Sequence, residues 1–319
     1  MARIVPYLPL PPLLPRPKGD KDAEGMKKQI PSNNAVTLSC AVPSGVLEAL
    51  QERMERTGET LDLAVSSCLA EALDVEQHSI FQVSTSGALV QGVYQAATTI
   101  GDVRHHGDFG LGTFVGLDGE GILLDGVCYR AGADGTLAEM PDSTPAPFWV
   151  ATRFHVDVTE ICENILSWED LCARLSAMRP SANLLAAIRI DSIFDFIHVR
   201  VACKAEDGVS LVEATSHQAE FQFENIQGTL VGFYTPSYAR TINVPGYHLH
   251  FLSADRRHGG HVLELRAKSV RAALHTANDL HVVLPENAAF LHADLNEDPA
   301  AALARAEGAH QGSAPADGG

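Results

Sequence analysis

The stretch GYHLHFLSADRRHGGH, from Gly246 to His261, carries four of the chain's 14 histidines. Side chains alternate along a strand, so His248 and His250 share one face while Tyr247, Leu249 and Phe251 take the other. The segment ADRRHGG is rich in turn formers and the chain resumes as HVLEL, which returns His261 beside the first two across an antiparallel pair. Three neutral imidazoles converging in this way are what a catalytic zinc site needs, with one or more positions left for water or substrate. His258, inside the turn, reads as a solvated loop residue.

The elements that must position these histidines sit in a chain of 319 residues, long enough for two ordinary domains, with 45% apolar content typical of a globular protein. A formal charge of -17 disfavours nucleic acid and anionic membrane surfaces as partners. The opening MARIVPYLPLPPLLPRPKGD has prolines where a secretory signal needs a helical apolar run, and reads as part of a flexible leader over residues 1–35. No segment is long and apolar enough to span a bilayer. Six scattered cysteines without a C-x-x-C pair read as small buried hydrophobes, reduced in a cytoplasmic protein.

Residues 36–77 predict a short strand, a helix opening near Ser44, a turn at RTGE and a second helix from about Thr60 to Leu73. This strand-helix-helix pattern resembles a ribbon-helix-helix unit over about forty residues. Its strand, VTLSCAV, carries no Lys or Arg, so a dimerisation or docking module, or a hairpin packed on the main body, is the better reading than a DNA reader. From His78 onward, apolar segments such as GILLDGVCYR, PFWVATRFHV and TLVGFYT alternate with Gly, Asp and Pro turns and predict mixed sheets. Helical periodicity is clearest in SWEDLCARLSAM, with Ser167 as N-cap and a role as connector between two sheet domains, and in DPAAALARAEG. The last residues, 310–319, have the composition of disorder.

TTIGDVRHHGDFGLGTFVGLDGE (Thr98 to Glu120), RIDSIFDFIHVR (Arg189 to Arg200) and GTLVGFYTPSYARTINVPGYHLHFLSADRRHGGHVLEL (Gly228 to Leu265) resemble segments of the alpha-acetolactate decarboxylases. The likeness runs from about Ile80 to Glu307 and leaves out the first 77 residues. It implies a zinc enzyme, often dimeric, that converts (S)-2-acetolactate to (R)-acetoin and carbon dioxide. The implied fold is α+β: two mixed β-sheet domains with flanking helices, over residues 78–178 and 179–309, the second binding zinc, preceded here by the small strand-helix-helix extension. The family's zinc ligands fall on His248, His250 and His261, its two functional glutamates on Glu120 and Glu307, its active-site arginine on Arg200 and a threonine near the metal on Thr113. Where the family has a threonine before that arginine and a proline-containing run after it, Val199 and VACK stand here.

The substrate so implied is a small 2-hydroxy-3-keto acid, whose loss of carbon dioxide leaves an electron pair that needs a sink, and a Lewis-acidic metal supplies one. Arg200 has the forked, permanent charge to hold a carboxylate or neutralise an enediolate. A chiral product needs a proton delivered to one face, by Glu120 or Glu307 if burial raises its pKa. Taken without the resemblance, Glu120 in a Gly-Asp turn and Glu307 near a helix end would be solvated charges, and Arg200 a strand-edge ion-pair partner. The glycines of HGDFGLGTFVGLDGEG do not follow the G-x-G-x-x-G pattern of a phosphate loop. His105 and His106 would diverge on a strand and are read as non-ligands. A cupin-type metal enzyme also uses an H-x-H pair but adds a glutamate where Ala254 and Asp255 stand. The remaining alternative is a non-catalytic zinc-containing metabolite sensor or partner-binding protein that uses its N-terminal unit.

Overall fold

The structure is a computed structural model, and it describes residues 38–57, 60–73 and 78–307. The expected leader at 1–35 and tail at 310–319 lie outside the described residues. Two helices open it, α1 (Ser44–Thr57) and α2 (Leu61–Leu73). They are joined in part by a contact from Arg53 Nη1 to Cys68 Sγ at 3.4 Å. The strand expected ahead of α1 is not formed across residues 38–43. An extended segment becomes a strand only when a neighbour completes its hydrogen-bond ladder, and no described residue does so here.

The body begins with β1 (Ser79–Val83), α3 (Ser86–Val90), β2 (Thr98–Thr99) and α4 (Ile100–His106). Thr99 opens α4 with a reciprocal cap shared with Asp102, so His105 and His106 close a helix rather than sit on a strand. Next come β3 (Phe109–Thr113), β4 (Glu120–Leu124), β5 (Val127–Ala131), β6 (Leu137–Glu139), β7 (Pro145–Ala146) and β8 (Phe148–Thr152). The segment β9 (Val158–Ile165) leads to α5 (Trp168–Met178), whose first turn is capped by the Ser167 hydroxyl accepting from Asp170 N. Long strands follow: β10 (Leu185–Val201), then after α6 (Leu211–Thr215) β11 (Ala219–Thr235), β12 (Gly246–Ser253) and β13 (Gly259–Ala277). The described chain closes with β14 (Asp279–Val283), α7 (Ala288–His292) and α8 (Ala300–Ala306).

Two main sheets result. The first has the order β14-β1-β8-β3-β4-β5-β6 and is mixed, because β1 runs parallel to β14 and antiparallel to β8. The second has the order β10-β11-β12-β13-β9, and β10 also pairs with β13, so four strands close on themselves with β9 added outside. The sequence division at residue 178 is thus crossed twice: β9 joins the second sheet and β14 the first. Leu111, Ile122, Phe148 and Val150 of the first sheet pack against Val231, Phe233 and Leu252 of the second. On the other side of the second sheet, Leu171 and Leu175 of α5 meet Ile188, Leu249, Phe251 and Leu265. No helix among the described residues is long and apolar enough to cross a membrane.

Candidate metal centre

Alternation along β12 sends Leu249 and Phe251 into the α5-side core and leaves His248 and His250 on the face turned toward the first sheet. His261 lies directly opposite His250 at the start of β13. On its other edge β13 pairs with β10, and there the register shifts: His198 faces Glu264 but Val199 faces Val262, so Leu263 is extra. This β-bulge changes the phase of the strand. Val262 and Leu265 both enter the α5-side core, although an unbroken alternation would put them on opposite faces. His261 is thereby kept on the cleft side, opposite Arg200. Gly260 permits the close approach, since a Cβ there would lie 2.7 Å from the Arg200 carbonyl oxygen.

The Nε2 atoms of His248 and His250 lie 3.2 Å apart. The ring of His261 has its centroid 4.9 Å from that of His248 and 5.5 Å from that of His250. One ring nitrogen from each of the three lies within 4.8 Å of the others. The carbonyl of Gly121, on β4 of the opposite sheet, accepts from His250 Nδ1–H at 2.9 Å, which leaves Nε2 as a lone pair directed at its neighbours. Burial pushes all three imidazoles away from their charged form: His250 down to about 4, and His248 and His261 well below the ordinary value, with Arg200 adding repulsion at each. Three imidazoles that burial keeps neutral, two of them with Nε2 atoms in hydrogen-bond reach of each other, are a donor set that fits a divalent ion of the zinc type.

Two buried carboxyl groups flank them. Glu120, first residue of β4, places Oε2 3.4 Å from His250 Nε2, and its Oε1 accepts from the Ala202 amide at 3.1 Å. Glu307, just beyond α8, places Oε2 2.9 Å from Arg200 Nη2 and 3.6 Å from His261 Nδ1. Desolvation raises the pKa of both, and the Arg200 guanidinium opposes it in each case. Arg200 is 5% exposed. Its Nη1 donates to Gln218 Oε1 at 3.0 Å and to the Ala306 carbonyl, while its Nε is buried without a partner. Thr113 sits opposite Glu120 in the β3–β4 pair, and its hydroxyl donates to the Gly119 carbonyl at 2.9 Å. It braces the turn that delivers Glu120.

All seven residues singled out from the sequence line one cleft of about 510 Å³, its open mouth included. The apolar walls are Leu89, Leu111, Leu117, Phe148 and Val244. Sequence reasoning missed Gln218, the Gly121 carbonyl and the Ala202 amide. The last two act through backbone atoms, which leave no mark on residue type.

The second sheet is antiparallel throughout, not mixed as expected. A polar cluster at the seam of a mixed and an antiparallel sheet, walled by apolar side chains and furnished with buried acids and an arginine, is the arrangement of an α+β enzyme. The family model described as "Alpha-acetolactate decarboxylase" matches residues 80–297, so Glu307 and the two N-terminal helices lie outside the matched stretch. The chain is 39% identical over 240 residues to an alpha-acetolactate decarboxylase of Methylococcus capsulatus, covering 75% of this chain and 92% of that one. It is also 39% identical over 231 residues to the alpha-acetolactate decarboxylase of Bacillus subtilis, covering 72% and 91% respectively. The crystal structure of the alpha-acetolactate decarboxylase from Bacillus subtilis strain 168 superposes with a TM-score of 0.70 at 38% identity, over 72% of this chain and 99% of that chain. The chain belongs to the alpha-acetolactate decarboxylase family.

Proposed function

We propose that this chain decarboxylates (S)-2-acetolactate to (R)-acetoin, with zinc held by His248, His250 and His261. The observation that carries the reading is the placement of Arg200, Glu120 and Glu307 around three imidazoles held neutral. Zinc, when bound there, supplies the Lewis acidity that a 2-hydroxy-3-keto acid needs as its carbon–carbon bond breaks. The chain's own residues do the rest. Arg200 receives the substrate carboxylate, for which its unpartnered Nε is available. Glu307, bonded to Arg200, fixes the guanidinium. Glu120, lifted by burial, retains a proton and gives it to one face of the enediolate, which sets the hand of the product. The Ala202 amide and the Thr113-braced turn hold that carboxyl in place. The apolar walls exclude water that would protonate either face.

Zinc dependence is tested by acetoin formation from racemic acetolactate with the full-length protein, before and after chelation and after zinc is restored. Turnover lost with the chelator and regained with zinc is expected. Absence of turnover in folded, zinc-loaded protein would replace catalysis with metabolite sensing. We further propose a cytoplasmic homodimer; the six thiols are free, which suits a reducing compartment. Sedimentation tests the second half of that statement.

A further inference from the structure

Away from the cleft, a second group of side chains is arranged in the same way. His78 immediately precedes β1, Asp157 lies between β8 and β9, and His275 lies near the end of β13. One ligand atom from each lies within 4.8 Å of the others. The His275 side chain is fully buried; its Nδ1–H donates to the His155 carbonyl at 2.9 Å, and its Nε2 has no hydrogen-bond partner. His78 Nδ1–H likewise donates to the Thr276 carbonyl at 2.8 Å, so its Nε2 is also the lone-pair nitrogen. A backbone carbonyl fixing Nδ1–H is the device by which Gly121 orients His250. Asp157 Oδ2 accepts from the Thr276 amide at 2.7 Å and lies 3.9 Å from His78 Nδ1. Burial lowers the His275 pKa to about 4, which keeps it neutral in ordinary buffers. His155, its ring centroid 6.1 Å from that of His275, presents a second buried Nε2 without a partner.

We propose that His78, Asp157 and His275 form a second site for a zinc-class divalent ion, separate from the three-histidine centre and structural in purpose. Two imidazoles and one carboxylate select zinc and its first-row neighbours over magnesium or calcium, which prefer all-oxygen shells. The two rings are stacked at 5.2 Å and 11°, so their lone pairs do not converge until a shared ion turns the ring of His78, the more exposed of the pair, at the expense of its hydrogen bond to the Thr276 carbonyl. The ion ties the first residue of the body to the segment where β13 hands over to β14, which pairs with β1. It therefore clamps the exchanged strand.

The test is zinc stoichiometry of the full-length protein after equilibrium dialysis against zinc, for wild type, His78→Asn, Asp157→Asn and His248→Ala. Asparagine is chosen at position 78 because that residue has φ 55°, a left-handed conformation asparagine tolerates. His78→Asn and Asp157→Asn are each expected to hold one ion fewer than wild type while forming acetoin within about twofold of the wild-type rate. In His248→Ala, zinc should still raise the melting temperature, and adding His78→Asn to it should abolish that rise. Unchanged stoichiometry in both His78→Asn and Asp157→Asn would overturn the proposal. Loss of an ion in those two with none lost in His248→Ala would instead remove the three-histidine centre.

Discussion

Arg200 distributes a single guanidinium over a carboxylate, an amide and a backbone carbonyl, and still has Nε to offer. A lysine placed there keeps the charge but loses the fork. Arg200→Lys is expected to retain zinc and lose about 10- to 100-fold in kcat/KM, from charge-assisted hydrogen bonds of about 1.5–3 kcal/mol. Steady-state kinetics beside a metal assay checks this; an unchanged rate would take Arg200 out of the mechanism. Gln218 relays the guanidinium to Glu220 through its Nε2, at 2.8 Å. Gln218→Ala leaves Arg200 less well oriented and should cost roughly tenfold, on the scale of one hydrogen bond to a charged group of about 1.5 kcal/mol. Glu120 yields a prediction in pH. Burial raises its pKa, so its acid form persists above the ordinary carboxylate range, and donor activity is lost as pH rises through that raised value. Glu120→Gln should remove this limb of the pH–rate profile and lower kcat by about 10²–10⁴-fold; a preserved limb would assign the proton to another group.

At the scale of elements, the cleft depends on strands that approach closely. Gly260→Ala would set a Cβ 2.7 Å from the Arg200 carbonyl and 3.1 Å from Val199 Cβ, forcing β10 and β13 apart next to the bulge. A loss of about 1–3 kcal/mol, the usual cost of overpacking, should accompany weakened zinc retention. Gly45→Ala, in α1 with nothing within 4 Å, serves as the control and should be neutral or stabilising by up to about 1 kcal/mol. Denaturant melts of the two variants separate these outcomes. The element-level reading was good where pattern is local. Ser167 and the periodicity behind it located α5, and alternation around His248 and His250 located β12. It failed at residues 38–43, where a β-prone run has no partner in the described structure, and at His105 and His106, where the Thr99–Asp102 cap starts a helix. The Leu263 bulge left only a slight mark, the adjacent apolar pair Val262 and Leu263 that breaks the alternation of HVLEL.

The whole molecule carries several imidazoles that burial keeps neutral. In the unfolded chain they protonate near 6.5, whereas folded His250 and His275 protonate only near 4. Between those values the unfolded state binds more protons, so lowering the pH draws the equilibrium toward it. Stability of the metal-free protein should be intact above about pH 6.5 and fall steadily toward pH 4, each such imidazole contributing on the order of 1–3 kcal/mol. Glu120 and Glu307, with raised pKa values, act in the opposite sense but are fewer than the four lowered histidines. Melting temperatures of chelated protein across this range test the sign; a flat profile would contradict it. Zinc should steepen the loss, because acid also strips its ligands.

Sequence alone determined the chemistry available and the local frame that carries it. Three histidines at strand spacing around a turn, the helix signals, and motif segments long enough to carry a family resemblance all lie within short windows, where side-chain alternation and capping act between near neighbours. Tertiary structure decided what met at the cleft. Glu307 lies 107 residues from its partner Arg200, and the Gly121 carbonyl that sets the His250 tautomer is 129 residues away. It also decided that β9 and β14 change sheets, and it gathered His78 and His275 into a group that no motif announces. Such contacts follow from the register and packing of whole strands, and a one-residue slip or a bulge reverses which face a side chain takes, so residue type and short-range spacing cannot supply them.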